Sequence, residues 1–350
     1  MSRFYSLPVK EIQRITPNSV TVSFEVPETL RDSFRFTAGQ YITIEKELNG
    51  LALRRSYSIC TTPESEELKI GIKKTNDEGF SHFVNHDLRK GDILEVHPPE
   101  GRFVFTPDRE KKRVVMAFAA GSGITPIMSM MKTLLEEEPQ SAFVLVYGNK
   151  SPAETMFYED ILHLKKLYPQ RLFVYSVYSA AREAEALFGR IDRSVVNYVL
   201  KNKHKGEVFD RFYLCGPVAM ISHVKEVLQE NGIDKDRIFF ELFTTPEAEK
   251  EVPWPATGKT SVTVVLDDVE TSFVMDKKER VLDAALKEGL DAPYSCRGGI
   301  CSSCMARLTS GEVTMVQNHI LTDEELEEGF ILTCQSHPVT DHIAVDYDDI

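Results

Sequence analysis

Four cysteines near the carboxyl end constrain this chain more than any other sequence feature. They follow the spacing C-x4-C-x2-C, with the last cysteine after a further 29 residues: Cys296, Cys301, Cys304 and Cys334. Thiolates at these positions reach one metal centre only if the chain curls tightly around it. Gly298 and Gly299 permit that curl, because glycine adopts backbone conformations that other residues avoid. We therefore expect a tight loop whose backbone N–H groups turn toward the cysteine sulfurs.

The same spacing indicates which metal centre the loop holds. C-x4-C-x2-C followed by a distant cysteine is the plant-type ligand pattern of a [2Fe–2S] cluster. The alternative is a structural zinc ion, which usually takes two C-x2-C pairs or mixed Cys and His ligands, and only one C-x2-C occurs here. The sequence therefore predicts a [2Fe–2S] cluster. Of the two remaining cysteines, Cys60 is predicted to be a small buried apolar residue.

Composition and charge exclude several classes of protein. The 350 residues are 42% hydrophobic and 27% charged, which is typical of two or three globular domains. The longest apolar run, residues 114–120, is far shorter than the roughly 18 to 20 residues of a membrane-spanning helix. Because no secretory signal is evident either, we expect a cytoplasmic protein that does not bind membranes. The formal net charge of −13 argues against nucleic acid binding.

The patterning of the chain changes along its length. Residues 1–106 contain short β-rich runs between turns and predict an antiparallel β-barrel. Residues 107–244 alternate strands with helices and predict an α/β domain with a parallel sheet. Residues 245–258 contain three prolines without periodicity and predict a linker. Residues 259–350 predict a small α+β domain that is strongly negative, with 18 acidic and 7 basic residues.

Two motifs in the first segment fit a flat, phosphorylated ligand. On the predicted strand at residues 54–59, Arg55 can pair with a pyrophosphate and Tyr57 can stack beside a heterocycle, while Ser58 points to the other face. Residues 79–81 form a glycine turn that opens a short helix, where N–H groups and a serine hydroxyl can receive a phosphate. In isolation, each fragment fits an ordinary solvated barrel edge better than a binding site.

Two turns in the second segment predict a shared phosphate-binding crevice. Residues 119–126 place a turn between a strand and a helix, and Gly121 and Gly123 allow the phosphates of a dinucleotide to approach the backbone. Pro126 stands where the usual fingerprint has its last glycine, so the motif is only moderately specific. Residues 213–217 end a later strand. Because ligands of parallel sheets gather at the carboxyl ends of strands, we expect both turns to face one crevice.

In this order, the motifs resemble those of the ferredoxin-NADP reductase superfamily, followed by a fused plant-type ferredoxin. Within that superfamily the chain is most similar to the reductase components of multicomponent oxygenases, in particular the phenylacetyl-CoA epoxidase reductase type. The resemblance covers nearly the whole chain apart from the linker. It implies that residues 1–106 are an FAD-binding β-barrel domain, residues 107–244 an NAD(P)-binding domain and residues 259–350 a β-grasp ferredoxin domain.

The resemblance also implies roles for individual residues. Residues of the first segment would hold FAD: Arg55, Tyr57, Ser58, Gly79, Phe80 and Ser81. Residues of the second segment would hold the nicotinamide nucleotide: Gly121, Ser122, Gly123, Thr125, Pro126, Cys215, Gly216 and Pro217. Tyr57, Ser58 and Cys215 would lie where nicotinamide meets flavin and are the predicted catalytic residues, although Cys215 also fits a plain core thiol. FMN in place of FAD stays open on physical grounds, as does the residue that caps the flavin ring.

These cofactors form a chain of electron carriers. A nicotinamide delivers two electrons together as a hydride, a [2Fe–2S] cluster accepts one at a time, and a flavin does both. The expected function is electron transfer from NAD(P)H through FAD and the cluster to an acceptor protein such as an oxygenase component. The resemblance implies a place in aromatic, phenylacetate-type degradation. A stand-alone flavin oxidoreductase that acts directly on a small molecule is the alternative, for which the sequence offers no further pocket motif.

The acidic surplus of residues 259–350 has two interpretations. It predicts either a docking face for a basic acceptor protein or an ordinary solvated surface. The densest group of charges lies on a predicted short helix: Glu324, Glu325, Glu327 and Glu328.

Coenzyme choice depends on the ends of the second and third strands of residues 107–244. No acidic residue ends the strand at residues 143–147, which removes one reason to expect contact with a ribose hydroxyl. Ser179 and Arg182 follow the next strand and can meet a 2′-phosphate. The sequence therefore favours NADPH over NADH, although an exposed Ser and Arg are as often only solvated.

Replacing Arg182 tests this coenzyme preference. Arg182→Glu substitutes a repulsive carboxylate for a cation that can pair with the 2′-phosphate, so we expect the KM for NADPH to rise by about tenfold or more. The KM for NADH, which has no such phosphate, should stay unchanged in steady-state assays with a dye acceptor. Equal effects on both coenzymes would remove the assignment.

Overall fold

The computed structural model describes residues 4–48, 50–75, 77–243 and 257–350. Within these ranges the chain forms two compact units. The first comprises residues 5–53 and 57–243, and the second comprises Phe4, residues 54–56 and the carboxyl-terminal part from residue 257. All but the last two residues of the predicted linker at 245–258 lie outside the described residues, so the predicted domain boundaries stay predictions.

The first β-rich segment is an antiparallel barrel, as predicted. Its elements are β1 (Tyr5–Thr16), β2 (Ser19–Phe24), β3 (Tyr41–Leu48), β4 (Leu51–Ser58), β5 (Lys69–Lys73), helix α1 (Phe80–His86) and β6 (Ile93–Val96). The strands follow the order β4-β3-β6-β1-β2-β5. An antiparallel bridge between Ile59 and Ile70 joins the two ends of this sheet. Fully buried aliphatic side chains such as Leu7, Val22 and Ile42 fill the interior.

The second segment contains a parallel six-stranded sheet, as predicted. Its strands are β7 (Val114–Ala120), β8 (Ala142–Asn149), β9 (Leu172–Tyr178), β10 (Leu187–Phe188), β11 (Phe209–Cys215) and β12 (Ile238–Glu241). The connecting helices are α2 (Ile124–Glu137), α3 (Tyr158–Leu167), α4 (Arg193–Tyr198), which continues as a π-helix over Val199–Lys203, and α5 (Val218–Glu230). Central strands β7 and β8 are buried along almost their whole length, as in a sheet covered on both faces.

The strand order of this sheet indicates where a ligand can bind. The order is β10-β9-β8-β7-β11-β12, so the succession of strands reverses direction between β7 and β11. In open parallel sheets such a switch point leaves a crevice outside the carboxyl ends of the two strands, because the connections on either side lead away from it. The turns that follow β7 and β11 are the two that the sequence predicts to bind phosphates.

The carboxyl-terminal unit has the predicted α+β architecture. Its elements are β13 (Lys259–Leu266), β14 (Val269–Asp276), α6 (Val281–Lys287), β15 (Met305–Ser310), β16 (Val313–Met315), α7 (Asp323–Glu327), β17 (Phe330–Leu332), β18 (Ser336–Pro338) and β19 (His342–Asp346). Five strands form a mixed sheet in the order β14-β13-β19-β15-β17, and β16 pairs with β18. The acidic helix α7 begins with a capping box between Thr322 and Glu325. Among the described residues of the whole chain, no helix is both long and apolar enough to span a membrane.

Candidate functional site

The turn after β7 packs directly on the end of β11. Gly121–Gly123 form a 3-10 turn from which α2 continues. A β-carbon on Gly123 would lie 2.2 Å from the carbonyl oxygen of Cys215, a separation that excludes every other residue type at position 123. Cys215 itself pairs with Ala119 across the β7 and β11 strands. The two glycine turns therefore meet at one edge of the sheet, as the sequence predicts.

Ser58, Cys215 and Glu241 form a polar group at this edge. Ser58 is buried, and its hydroxyl lies 3.3 Å from Oε2 of Glu241, the last residue of β12. Cys215 is fully buried, and this burial raises the pKa of its thiol well above its usual range, as does the nearby Glu241 carboxyl. A thiol in such surroundings stays neutral, which disfavours a nucleophilic role for Cys215.

Glu241 is a site residue that sequence reasoning missed. The residue is partly exposed, but its carboxyl group lies deep enough that burial raises its pKa to about 8, against a smaller lowering by the Ser58 hydrogen bond. The carboxyl is therefore mostly protonated at neutral pH and can donate a hydrogen bond. One sequence signal was available: a single acid, followed by Leu242 and Phe243, ends an apolar strand.

The predicted flavin residues lie on β4 and α1. The ring of Tyr57 stacks on the buried ring of Phe80 with centroids 5.7 Å apart and planes at 29°, so Phe80 supports the partly exposed Tyr57 ring, which is suited to a flat heterocycle. Arg55 is exposed and donates to the carbonyl of Arg54 at 2.7 Å. The Ser81 hydroxyl lies 3.2 Å from the Thr75 hydroxyl, so it ties α1 to the preceding loop.

The glycine turn after β7 fits a phosphate group. Gly121 has a φ of +56°, and a β-carbon there would have only one neighbour within 4 Å, the Lys73 ammonium at 4.0 Å. Lys73 is thus a cation beside the turn that the sequence analysis did not identify. Inside the turn, the Thr125 hydroxyl donates to the Ser122 carbonyl at 3.0 Å. Thr125 therefore braces the turn from within rather than facing a ligand.

The two residues predicted to recognise a 2′-phosphate follow β9, which lies two strands from β7. The Ser179 hydroxyl donates to the carbonyl of Asn149 at 3.4 Å. The Arg182 guanidinium lies over the exposed ring of Phe188, 4.4 Å from its centroid.

The four predicted cluster ligands converge in the carboxyl-terminal unit. The Cys301 thiol donates to the Cys296 sulfur at 3.1 Å, and the pKa of Cys296 is lowered by hydrogen bonds from Cys301 and Cys334. Cys304 in turn contacts Cys334, whose pKa is raised by these thiol contacts. Four thiols linked in series by these contacts, on one tight loop and one distant strand end, match the donor set of a [2Fe–2S] cluster.

Backbone groups of the loop already point at these sulfurs. The N–H of Gly298 donates to the Cys296 sulfur at 3.3 Å, as predicted, and the Gln335 side chain reaches the Cys334 sulfur at 3.5 Å. Gly299 has a φ of +72°, and a β-carbon on it would lie 2.9 Å from the carbonyl oxygen of Gln317. The loop thus closes only because glycine occupies position 299.

Three features together define the class of protein: an aromatic surface suited to a flavin, a turn suited to a dinucleotide at the switch point of the sheet, and a four-cysteine loop. This class is the nucleotide-dependent flavoprotein reductases with an iron–sulfur cluster. Comparisons with known proteins agree. Three family models match in succession: an oxidoreductase FAD-binding domain at residues 6–105, an oxidoreductase NAD-binding domain at 118–226 and a 2Fe-2S iron-sulfur cluster binding domain at 264–339.

Full-length relatives share this arrangement. The chain is 35% identical over 352 residues to a 1,2-phenylacetyl-CoA epoxidase subunit from Escherichia coli, covering 99% of both chains. It is 31% identical over 357 residues to the ferredoxin reductase component of 3-ketosteroid-9-alpha-monooxygenase from Rhodococcus rhodochrous, covering 99% of this chain and 97% of the relative. The glycine betaine monooxygenase reductase subunit of Pseudomonas aeruginosa is also 31% identical, over 90% of this chain and 88% of that one.

Solved structures share the fold. Phthalate dioxygenase reductase matches with a TM-score of 0.61 at 23% identity, over 98% of both chains. An intact type IV self-sufficient cytochrome P450 monooxygenase matches with a TM-score of 0.73 at 20% identity, over 99% of this chain and 42% of that one.

The chain therefore belongs to the family of reductase components of multicomponent oxygenases. It is an NAD(P)H-dependent oxidoreductase that binds FAD and a [2Fe–2S] cluster and transfers electrons toward an oxygenase. The predicted class, fold, cofactors and activity are confirmed. The roles assigned to single residues stay predictions.

The close approach at Gly299 predicts that a side chain at this position impairs cluster assembly. Gly299→Ala places a methyl group against the Gln317 carbonyl, so the loop should fail to close and iron content should fall by about half or more, with FAD content unchanged. Gly289→Ala is the control, because Gly289 also has a positive φ, +82°, but has nothing within 4 Å. Equal iron loss in both variants would mean that backbone strain, not the clash, governs the loop.

The pKa of Glu241 predicts how activity depends on pH. Above about 8 the carboxyl ionises and places a negative charge beside Ser58, which disfavours electron uptake nearby, so NADPH-driven ferricyanide reduction should fall as pH rises through that value. Glu241→Gln cannot ionise and should abolish this fall. The exposed Glu28 serves as control through Glu28→Gln, which should keep the wild-type profile. A fall that persists unchanged in Glu241→Gln would refute the assignment.

Proposed function

We propose that this chain is the NADPH-oxidising reductase component of an oxygenase system of the phenylacetyl-CoA epoxidase type. The observation that carries the proposal is the meeting of Ser58, Cys215 and Glu241 at the switch point of the parallel sheet, next to the glycine turn after β7. When bound, the flavin splits the two electrons of a hydride into the single electrons that a [2Fe–2S] cluster accepts.

In this proposal FAD lies against β4 and the start of α1. Tyr57, supported by the buried Phe80, offers an aromatic ring for the isoalloxazine, and the exposed Arg55 can neutralise the pyrophosphate. Gly79 has a φ of +81° and nothing within 4 Å of a β-carbon position, so a phosphate can approach the backbone there. The Ser81 hydroxyl contributes by tying α1 to Thr75, as well as by facing a phosphate.

In this proposal the coenzyme binds at the carboxyl-end edge of the parallel sheet, on the side opposite FAD. The backbone of the two turns would hold its diphosphate: Gly121, Ser122, Gly123, Pro126, Gly216 and Pro217. Thr125 braces the first turn, and the Lys73 ammonium supplies a positive charge beside it. Ser179 and Arg182 are proposed to recognise the 2′-phosphate of NADPH, and stacking on Phe188 restrains the Arg182 guanidinium for that contact.

The protein groups at the meeting point are neutral. Below about pH 8 the Glu241 carboxyl holds a proton, and its Oε2 accepts the hydrogen bond that the Ser58 hydroxyl donates. Cys215 is fully buried and stays neutral, so its proposed role is to form part of the apolar floor beneath the nicotinamide rather than to react.

The proposed acceptor follows from the relatives and from charge. The 35% identical relative belongs to a phenylacetyl-CoA epoxidase, which favours an acceptor that oxidises an acyl-CoA thioester over a steroid or a betaine. Glutamates on and beside α7 are proposed to attract a basic face of that acceptor: Glu324, Glu325, Glu327 and Glu328. None of the six cysteines forms a disulfide, which favours a location in the reducing cytoplasm.

Reconstitution tests this proposal. The holoprotein, the catalytic component of a phenylacetyl-CoA epoxidase, NADPH, dioxygen and phenylacetyl-CoA should together yield the epoxide, with the second oxygen atom reduced to water, at a rate that falls as salt is added, whereas ferricyanide reduction should not change. Glu324→Gln should weaken the salt dependence, and Glu270→Gln, an exposed glutamate on β14, should not. Dye reduction without epoxide formation would refute the acceptor, and rapid turnover of a small organic acceptor alone would favour a stand-alone oxidoreductase.

A further inference from the structure

Tyr147 is a buried residue of β8 whose polar end reaches the glycine turn. Its side chain is 1% exposed, and its hydroxyl donates to the carbonyl of Gly121 at 3.0 Å. The carbonyl of Met156 lies farther from the hydroxyl, at 3.4 Å. A phenol has one proton to donate, so the Gly121 carbonyl is the better acceptor. Burial raises the pKa of Tyr147 well above its usual range, so this proton stays in place at any working pH.

The Gly121 carbonyl is held from two directions. It accepts the Tyr147 hydroxyl and also the backbone N–H of Ile124. In a planar trans peptide the C=O and the following N–H point in opposite directions. Because Tyr147 draws the Gly121 carbonyl toward the interior, the N–H of Ser122 must point away from Tyr147.

We propose that Tyr147 is a positioning residue for the coenzyme: its hydroxyl fixes the peptide between Gly121 and Ser122 so that the Ser122 N–H faces the diphosphate of NAD(P)H. This inference rests on the proposed binding of that diphosphate by the turn after β7. Tyr147 contacts no reacting atom. By holding the Ser122 N–H in place before the ligand arrives, Tyr147 makes the free energy of coenzyme binding more favourable.

The test uses a variant, a matched control and two hydride donors. Tyr147→Phe in the holoprotein removes the hydroxyl and keeps the ring. Tyr213→Phe is the control, since Tyr213 is also fully buried and its hydroxyl also donates to a backbone carbonyl, that of Val104 at 3.1 Å. The donors are NADPH and reduced nicotinamide riboside, which carries no phosphate, and kcat/KM is measured for each with ferricyanide as acceptor.

We expect Tyr147→Phe to lower the ratio of kcat/KM for NADPH to that for the riboside by about three- to tenfold, through a higher KM for NADPH with kcat little changed. Tyr213→Phe should leave the ratio unchanged. The ratio does not depend on how much of the variant is folded and loaded with flavin, so a general loss of structure cannot imitate the effect. A ratio in Tyr147→Phe equal to that of the wild type or of Tyr213→Phe overturns the inference.

A further variant separates this inference from the proposed coenzyme site. Lys73→Gln removes the cation beside the Gly121 turn and should lower the same ratio, because the riboside has no phosphate to attract it. If Lys73→Gln lowers the ratio and Tyr147→Phe does not, the role of Tyr147 is wrong and the site stands. If neither variant changes the ratio, the diphosphate is bound elsewhere and both proposals fail.

Discussion

The contact between Gly123 and the backbone of Cys215 is the constraint on which the catalytic edge depends. With 2.2 Å between a hypothetical β-carbon and the Cys215 carbonyl oxygen, the turn after β7 can lie on β11 only because it has no side chain at that point. This approach brings the turn that is proposed to bind phosphate and the end of β11 to the same place. Ser58 from the barrel and Glu241 from β12 then complete a group of four elements around one crevice.

The same principle operates in the cluster unit. Gly299 approaches the Gln317 carbonyl as Gly123 approaches the Cys215 carbonyl. In both cases a side chain would prevent the close approach of two backbone segments. Around the cysteines, the Gly298 N–H and the Gln335 amide lie within hydrogen-bonding distance of sulfur. Because hydrogen bonds to sulfur stabilise the more negative, reduced form of a cluster, these groups would raise the reduction potential of a cluster bound there.

Much of the fold could be predicted from the sequence, because its signals are local. The spacing of four cysteines, the glycine turns after strands and the change from β-rich to alternating patterning each lie within a short stretch of chain, and the architecture that they indicate is confirmed. The site could be predicted only in part. Ser58 and Glu241 are 183 residues apart in sequence, and nothing local to either residue indicates their pairing. Lys73 was missed for the same reason, because its nearness to Gly121 arises only when barrel and sheet have folded.

Electron transfer from nicotinamide through flavin to the cluster is the central claim, and an anaerobic titration of the holoprotein tests it most directly. NADPH is added in steps while flavin absorbance and the electron paramagnetic resonance of the cluster are recorded, and the flavin is afterwards released with acid and identified. The account predicts that the flavin is FAD and that cluster resonance appears as NADPH is consumed. A flavin that is reduced while the cluster stays oxidised, or a preparation without a di-iron signal, would contradict it.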